Sequence, residues 1–272
     1  MDTERLIELV RRGPVLEALL EEGTMDRREI ERRLGVSRST VHRSTGSLRD
    51  SGLVERTDGA FSLTPLGEVC AREVTGLERT VGTAWEIAPI LRAARDHDIA
   101  LDVETFVDAT VTTAAPGNPY RPVARFMSLL EDTDTLRGLD PASINPLHID
   151  ELCDRIADGM VTEAVFPSAV LEELLVSNPE RARTVVESGN LVLLAHDDLP
   201  FGLTICDDRV GVGVYDDETG LLRTYVDTDS PAARDWADAV FAEYRSAATT
   251  LVEHDELSEF PSARAMAEDG SG

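Results

Sequence analysis

Seven arginines stand between Arg27 and Arg49 with only Glu29 and Glu31 against them, a local surplus of five positive charges. Guanidinium groups at that density suit one kind of chemistry: pairing with phosphate oxygens, in two-pronged fashion and without loss of charge. Three other groupings contain residue types able to catalyse or to hold a metal. His148 precedes Asp150, Glu151 and Cys153, His196 is followed by Asp197 and Asp198, and Asp207 adjoins Asp208. On a helix the first set does not share one tight face, so acidic residues opening a helix are expected there. The second closes a strand, and the third forms a turn, where a carboxylate serves the backbone first. No Lys occurs anywhere, which removes the phosphate-loop lysine, Schiff-base chemistry and kinase-type phosphoryl transfer. Gly-x-Ser-x-Gly, His-Glu-x-x-His and paired-Cys motifs are missing as well. No catalytic residue, metal site or cofactor is expected, and the chain reads as a non-enzyme.

The charge is distributed unevenly. Of 272 residues with a net charge of -26, residues 1–75 carry 14 acidic and 12 basic groups, a net of -2. The remainder holds a net of -24. Phosphates repel so acidic a body, which leaves the near-neutral N-terminal part as the one able to approach nucleic acid. A Lys-free, carboxylate-rich surface is expected of a halophilic protein from a salt-loaded cytoplasm. Cys70, Cys153 and Cys206 lie more than 50 residues apart, so they read as reduced thiols of a cytoplasmic protein. With no apolar run near 18 residues and a charged N-terminus, neither a membrane span nor a signal peptide is expected.

The elements that must position the arginines follow from the pattern. Leu6, Leu9 and Val10 precede Gly13-Pro14, expected to restart a helix whose inner face is Val15, Leu16, Leu19 and Leu20. Asp26-x-x-Glu29 has capping-box spacing ahead of Ile30 and Leu34. After the Gly35-Val36-Ser37 turn, Ser37 can cap a helix running to about Ser51, with Val41 and Leu48 inward. Residues 53–56 and 60–63 alternate like strands around Thr57-Asp58-Gly59, a hairpin turn. Helix, turn, helix and two-stranded wing make an α+β winged helix-turn-helix over residues 1–67.

Residues 27–67, RREIERRLGVSRSTVHRSTGSLRDSGLVERTDGAFSLTPLG, resemble the DNA-binding domain of many archaeal and bacterial regulators. The resemblance implies that Ser37, Arg38, Ser39, Thr40, His42 and Arg43 face the major groove of double-stranded DNA, where side chains read base edges. Arg27, Arg28, Arg49 and Arg56 would meet phosphates and set register. The sequence departs from the usual pattern at Thr45, where such helices bury Leu, and Gly46 weakens a helix interior.

Residues 68–98 read as a connecting and dimerisation helix. Cys70, Val74, Leu77, Val81, Ala84, Ala88 and Leu91 form a coiled-coil-like seam, with a break at Pro89. Residues 99–252 read as an α/β effector domain with a mixed sheet. A half-buried strand is expected from Leu101 to Val111, a turn at TLRGLDP (135–141), strands at 161–166, 191–196, 203–206, 209–215 and 221–226, and a closing helix from Ala232 to Thr250. An acidic disordered tail is expected over 253–272. TLRGLDP, LPFGLTICDDRVGVGVY (199–215) and WADAVFAEYRSAA (236–248) resemble the effector domain of archaeal winged-helix regulators first described for a methanogenesis regulator, the Fil family. The element order is also similar to half of a phospholipase-D-like fold, as in sugar-sensing TrmB-type regulators; without Lys such a half is non-catalytic. Tyr120, Arg121 and Arg125, where a loop meets a helix, could grip an anionic effector, unless neighbouring acids neutralise them.

Together these features describe a homodimeric DNA-binding transcriptional regulator modulated by its C-terminal domain. The alternatives are a winged-helix adaptor that binds protein in place of DNA, and an enzyme of unrecognised class.

Overall fold

The computed structural model describes residues 3–142, 146–177, 179–216 and 218–252. The expected tail at 253–272 lies outside them. The chain divides between Thr83 and Ala84 into two compact units.

The first unit runs α1 (Thr3–Glu22), β1 (Thr24–Met25), α2 (Arg27–Leu34), α3 (Arg38–Asp50), β2 (Val54–Thr57), β3 (Ala60–Leu63) and most of α4 (Pro65–Glu86). Two expectations about it need correction. Gly13-Pro14 does not restart a helix, because α1 is continuous through Pro14. Leu9 packs against the same core as Val15, Leu16 and Leu19, and burial on both sides of the proline outweighs its missing N–H. The wing has three strands in the order β1-β3-β2, since Thr24 and Met25 pair with Ser62 and Phe61. The hairpin turns at Asp58 (φ 53°) and Gly59 (φ 92°), both left-handed, which suits the twist of a two-residue loop. α4 starts hard against the wing: a Cβ on Gly67 would sit 1.9 Å from the Leu53 carbonyl oxygen, so only glycine fits there.

The second unit contains α5 (Ala88–Asp96), a 3-10 turn (Val103–Phe106), β4 (Thr110–Thr113), α6 (Arg121–Leu130), β5 (Thr135–Leu139), α7 (Pro146–Ala157), β6 (Val161–Phe166), α8 (Ser168–Ser177), α9 (Pro179–Glu187), β7 (Leu191–Ala195), β8 (Gly202–Ile205), β9 (Val210–Tyr215), β10 (Leu222–Thr228), α10 (Pro231–Ala247) and β11 (Thr249–Val252). Its eight-stranded sheet has the order β11-β7-β6-β5-β8-β9-β10-β4. β5, β6 and β7 are parallel and the other pairings antiparallel, so the unit is α/β with a mixed sheet.

Three more expectations change here. The strand expected from Leu101 is the 3-10 turn followed by the shorter β4, because Asp102 caps the Glu104 N–H at 3.0 Å and Asp108 turns left-handed at φ 69°. TLRGLDP is not a turn: its first five residues are β5, a central strand hydrogen-bonded on both sides. The closing helix stops at Ala247, and Thr249–Val252 pairs with β7 at the sheet edge.

The two faces of the sheet differ in side-chain size. Val165, Leu194, Leu203, Ile205, Val212 and Val226 pack with Ile90 of α5 and Phe241 of α10 into the largest core cluster. The opposite face, under α6 to α9, presents Gly138, Thr162, Ala164, Gly202, Thr204 and Gly213. Bulky residues fill one interlayer space, while small ones leave the other incompletely filled.

Candidate nucleic-acid interface

α3 is fastened at its start. Ser37 caps it, its hydroxyl accepting from the Thr40 N–H at 3.3 Å and lying 2.9 Å from the Ser39 hydroxyl. Its inner face is Val41, Ser44, Thr45 and Leu48, all buried. Thr45 replaces the expected aliphatic residue without leaving an orphaned polar atom, since its hydroxyl donates to the Val41 carbonyl at 2.9 Å. With that face fixed inward, Ser37, Arg38, Ser39, His42 and Arg43 are exposed and Thr40 is half-buried. Arg38 and Arg43 form no ion pair among the described residues. The N-terminal turns of α3 therefore present two uncommitted guanidinium groups, hydroxyls and an imidazole on one exposed surface.

The flanking arginines differ in how they are held. Arg28 is exposed, whereas Arg27 is half-buried with its Nε lacking a hydrogen-bond partner among the described residues. Arg49 is exposed with Asp50 4.0 Å away. Arg56 lies over the Phe61 ring at 5.5 Å and donates to the Gly59 carbonyl at 3.4 Å, which holds its head beside the wing tip. Arg33 is taken up by Glu21.

One positioning network was not foreseen from sequence. Glu8 on α1 accepts from Arg12 at 2.8 Å and from the Ser47 hydroxyl at 2.9 Å, and Arg12 donates to the Ser44 hydroxyl at 3.1 Å. These bonds, Ser47 first, hold the Glu8 pKa below the ordinary carboxylate value. The Glu8-x-x-x-Arg12 spacing was a usable signal for the pair, but its connection to α3 spans over 30 residues of chain.

In the second unit Tyr120 and Arg121 are exposed at the start of α6. Arg125 is engaged by an acid, the alternative the sequence left open for it. It makes a two-pronged pair with Asp227 at 2.8 and 2.7 Å, and Arg209 adds contacts to the same carboxylate at 2.9 and 2.6 Å. Asp227 is fully buried, and such an acid needs this partnership. The pairing pushes the Arg125 pKa up, chiefly through the Asp227 hydrogen bonds. Of the other groupings, His196 packs edge-on against Tyr244, Asp197 caps the Ser168 N–H at 2.8 Å, and Asp207 accepts from the Asp134 and Thr135 N–H groups at 2.7 and 3.1 Å.

Between the small-residue face of the sheet and α6 to α9 lies a cavity of about 160 Å³. Phe126, Leu152, Val185 and Leu193 supply apolar wall. Asp140, just past β5, lines it together with Tyr215, Thr204 and Tyr225. Burial pushes Asp140 up to about 6, against the lowering effect of hydrogen bonds from the Tyr215 hydroxyl and the Ala142 N–H, the latter 3.0 Å long. Burial also raises Tyr215 and Tyr225 well above the ordinary phenol value. The Tyr225 hydroxyl is buried beside Thr204 without a well-formed hydrogen bond.

Comparison with known proteins gives two family matches. Residues 1–86 match the HVO_A0261 N-terminal domain, and residues 119–247 match the middle domain of the methanogenesis regulatory protein FilR1. No curated protein matches the chain. Among solved structures the chain is similar to TrmBL2, described as an archaeal chromatin protein with a novel mode of DNA binding, at 17% identity over 89% of this chain and 94% of that one, TM-score 0.43. It is also similar to Nuc, a phospholipase D family member from Salmonella typhimurium, at 13% identity over 54% of this chain and 100% of that one, TM-score 0.41. An IclR family transcriptional regulator from Brucella abortus is similar at 16% identity over 88% of this chain and 91% of that one, TM-score 0.24.

Proposed function

We propose that this chain, whose residues 1–86 match the HVO_A0261 N-terminal domain and residues 119–247 the FilR1 middle domain, is a transcriptional regulator whose first unit reads operator DNA through α3. The observation that carries this reading is the outward surface of α3: Arg38, Ser39, His42 and Arg43 exposed at its N-terminal turns over a locked inner face. Helices of this placement insert those turns into the major groove, where Arg pairs with guanine edges. Arg28, Arg49 and Arg56 supply phosphate contacts that fix register, with Arg27 beside them.

The protein acts as a homodimer on two half-sites. The seam expected along the connecting helix is redistributed: Val74 is buried in the first unit, and Leu91 packs on the core of the second. Leu66, Val69, Leu77 and Val81 of α4 are 57, 57, 47 and 45% exposed, and this face supports self-association. No helix among the described residues is long and apolar enough to cross a membrane.

The test is a gel-shift series on fragments of the protein's own promoter region across a range of KCl. Wild type forms a discrete complex and Arg43→Ala loses it. Equal absence of binding by both proteins at every salt concentration overturns the reading.

A further inference from the structure

We propose that the cavity beneath α6 to α9 is a binding site for a compact, uncharged, mainly apolar molecule, of benzene to indole size, that donates one hydrogen bond to Asp140.

The wall is built for it by sequence choices on several strands. Gly138, Gly202 and Gly213 sit on one face of three adjacent strands, with Ala164 on β6 beside them. At Gly138, Gly202 and Gly213 the place of a Cβ is taken by the Leu203 carbonyl oxygen, the Tyr215 hydroxyl and the Leu222 side chain, so the glycines let these groups close in as the floor of the cavity, while the opposite face of the same strands is filled by branched aliphatics. A cavity of about 160 Å³ matches the apolar cavities of about 150 Å³ known to take up benzene.

Polarity then selects within that size class. Asp140 accepts from Tyr215 and from the Ala142 N–H, and a carboxyl group retains acceptor capacity beyond two bonds. A ligand hydroxyl or ring N–H finds its partner there. An anion finds none: among the described residues the one arginine at the cavity, Arg181, is 3.2 Å from both Asp150 and Asp154. Charged molecules also pay the desolvation cost of an apolar enclosure. The site is separate from the Tyr120–Arg121 surface, and its ligand class is the reverse of an anionic effector. Binding is read without DNA, so the proposal stands or falls apart from the regulator reading.

The experiment titrates the full chain with phenol, indole, benzene and benzoate by calorimetry, with methyl-resolved NMR on the same samples. Phenol and indole bind, benzene binds at least fivefold more weakly, and benzoate gives no heat. The methyl shifts concentrate on Leu152, Val185 and Leu193. Ala164→Ile, which fills the space, abolishes phenol binding, and Asp140→Leu removes the preference for phenol over benzene. The proposal is overturned if wild type shows no saturable heat with phenol or indole. Shifts centred on Leu16 and Leu48 of the first unit, or tighter binding of benzoate than phenol, overturn it equally. The wild-type measurements decide the matter even where a variant fails to fold.

Discussion

Arg125 and Asp227, 102 residues apart in the chain, meet as a fork on a carboxylate, with two bonds of 2.8 and 2.7 Å. Asp227 is 0% exposed, so α6 is tied to β10 by a charge that cannot turn to water if its partner is lost. Arg125→Met is expected to destabilise the second unit by about 3 kcal/mol, because removing one partner leaves a buried charge undercompensated. Arg209 contacts the same carboxylate, so the loss in the double variant with Arg209→Met departs from the sum of the two single losses. Urea denaturation with a probe in the second unit measures this. Additive single effects would deny the shared carboxylate its role.

Under the proposed reading of DNA by α3, Arg38→Ala and Arg43→Ala should each weaken specific binding by about 1–3 kcal/mol and relax base preference at one operator position. Arg28→Ala should weaken all sequences about equally and lower the salt slope by roughly one. Binding titrations at several KCl concentrations on operator and scrambled DNA separate the two behaviours. A base-preference change from Arg28→Ala would reverse the assignment.

Asp140 yields a pH signature. Its folded pKa is raised to about 6 by burial, so its contribution to stability is fully present below the unfolded value of about 3.9 and is lost as pH rises through 6. The difference amounts to roughly 3 kcal/mol at most. Relative to wild type, Asp140→Asn should therefore gain stability between pH 4 and pH 7. Thermal melts of both proteins across that window check it, and parallel curves would contradict it.

The α4 face predicts the assembly state. Leu77→Glu with Val81→Glu places two like charges on a half-exposed apolar stripe, which should convert the proposed dimer to monomer. Light scattering at matched concentrations reads the mass. DNA affinity should drop with it, since a dimer gains from two linked half-sites.

Local signals carried the first unit. Asp26 with Glu29, the Ser37 cap and the Asp58-Gly59 turn are decisions made within four residues, and the sequence pattern exposed each of them. β1 escaped because two residues have no periodicity. β5 escaped because Arg137 and Gly138 look like turn residues. In fact a Cβ on Gly138 would come within 2.2 Å of the Leu203 carbonyl oxygen, so close strand approach is what selects glycine. Which acid would take up Arg125 was hidden for a related reason: Asp227 becomes visible as its partner only once β10 is placed beside α6. The cavity was illegible altogether, as it depends on small residues from several strands sharing one face.

Unfilled space inside the second unit also has a mechanical side. Voids collapse when a chain unfolds, so unfolding shrinks the system by up to about 100 mL/mol and compression favours it. The cavity is expected to lower the second unit's resistance to hydrostatic pressure, and a molecule filling it would restore that resistance.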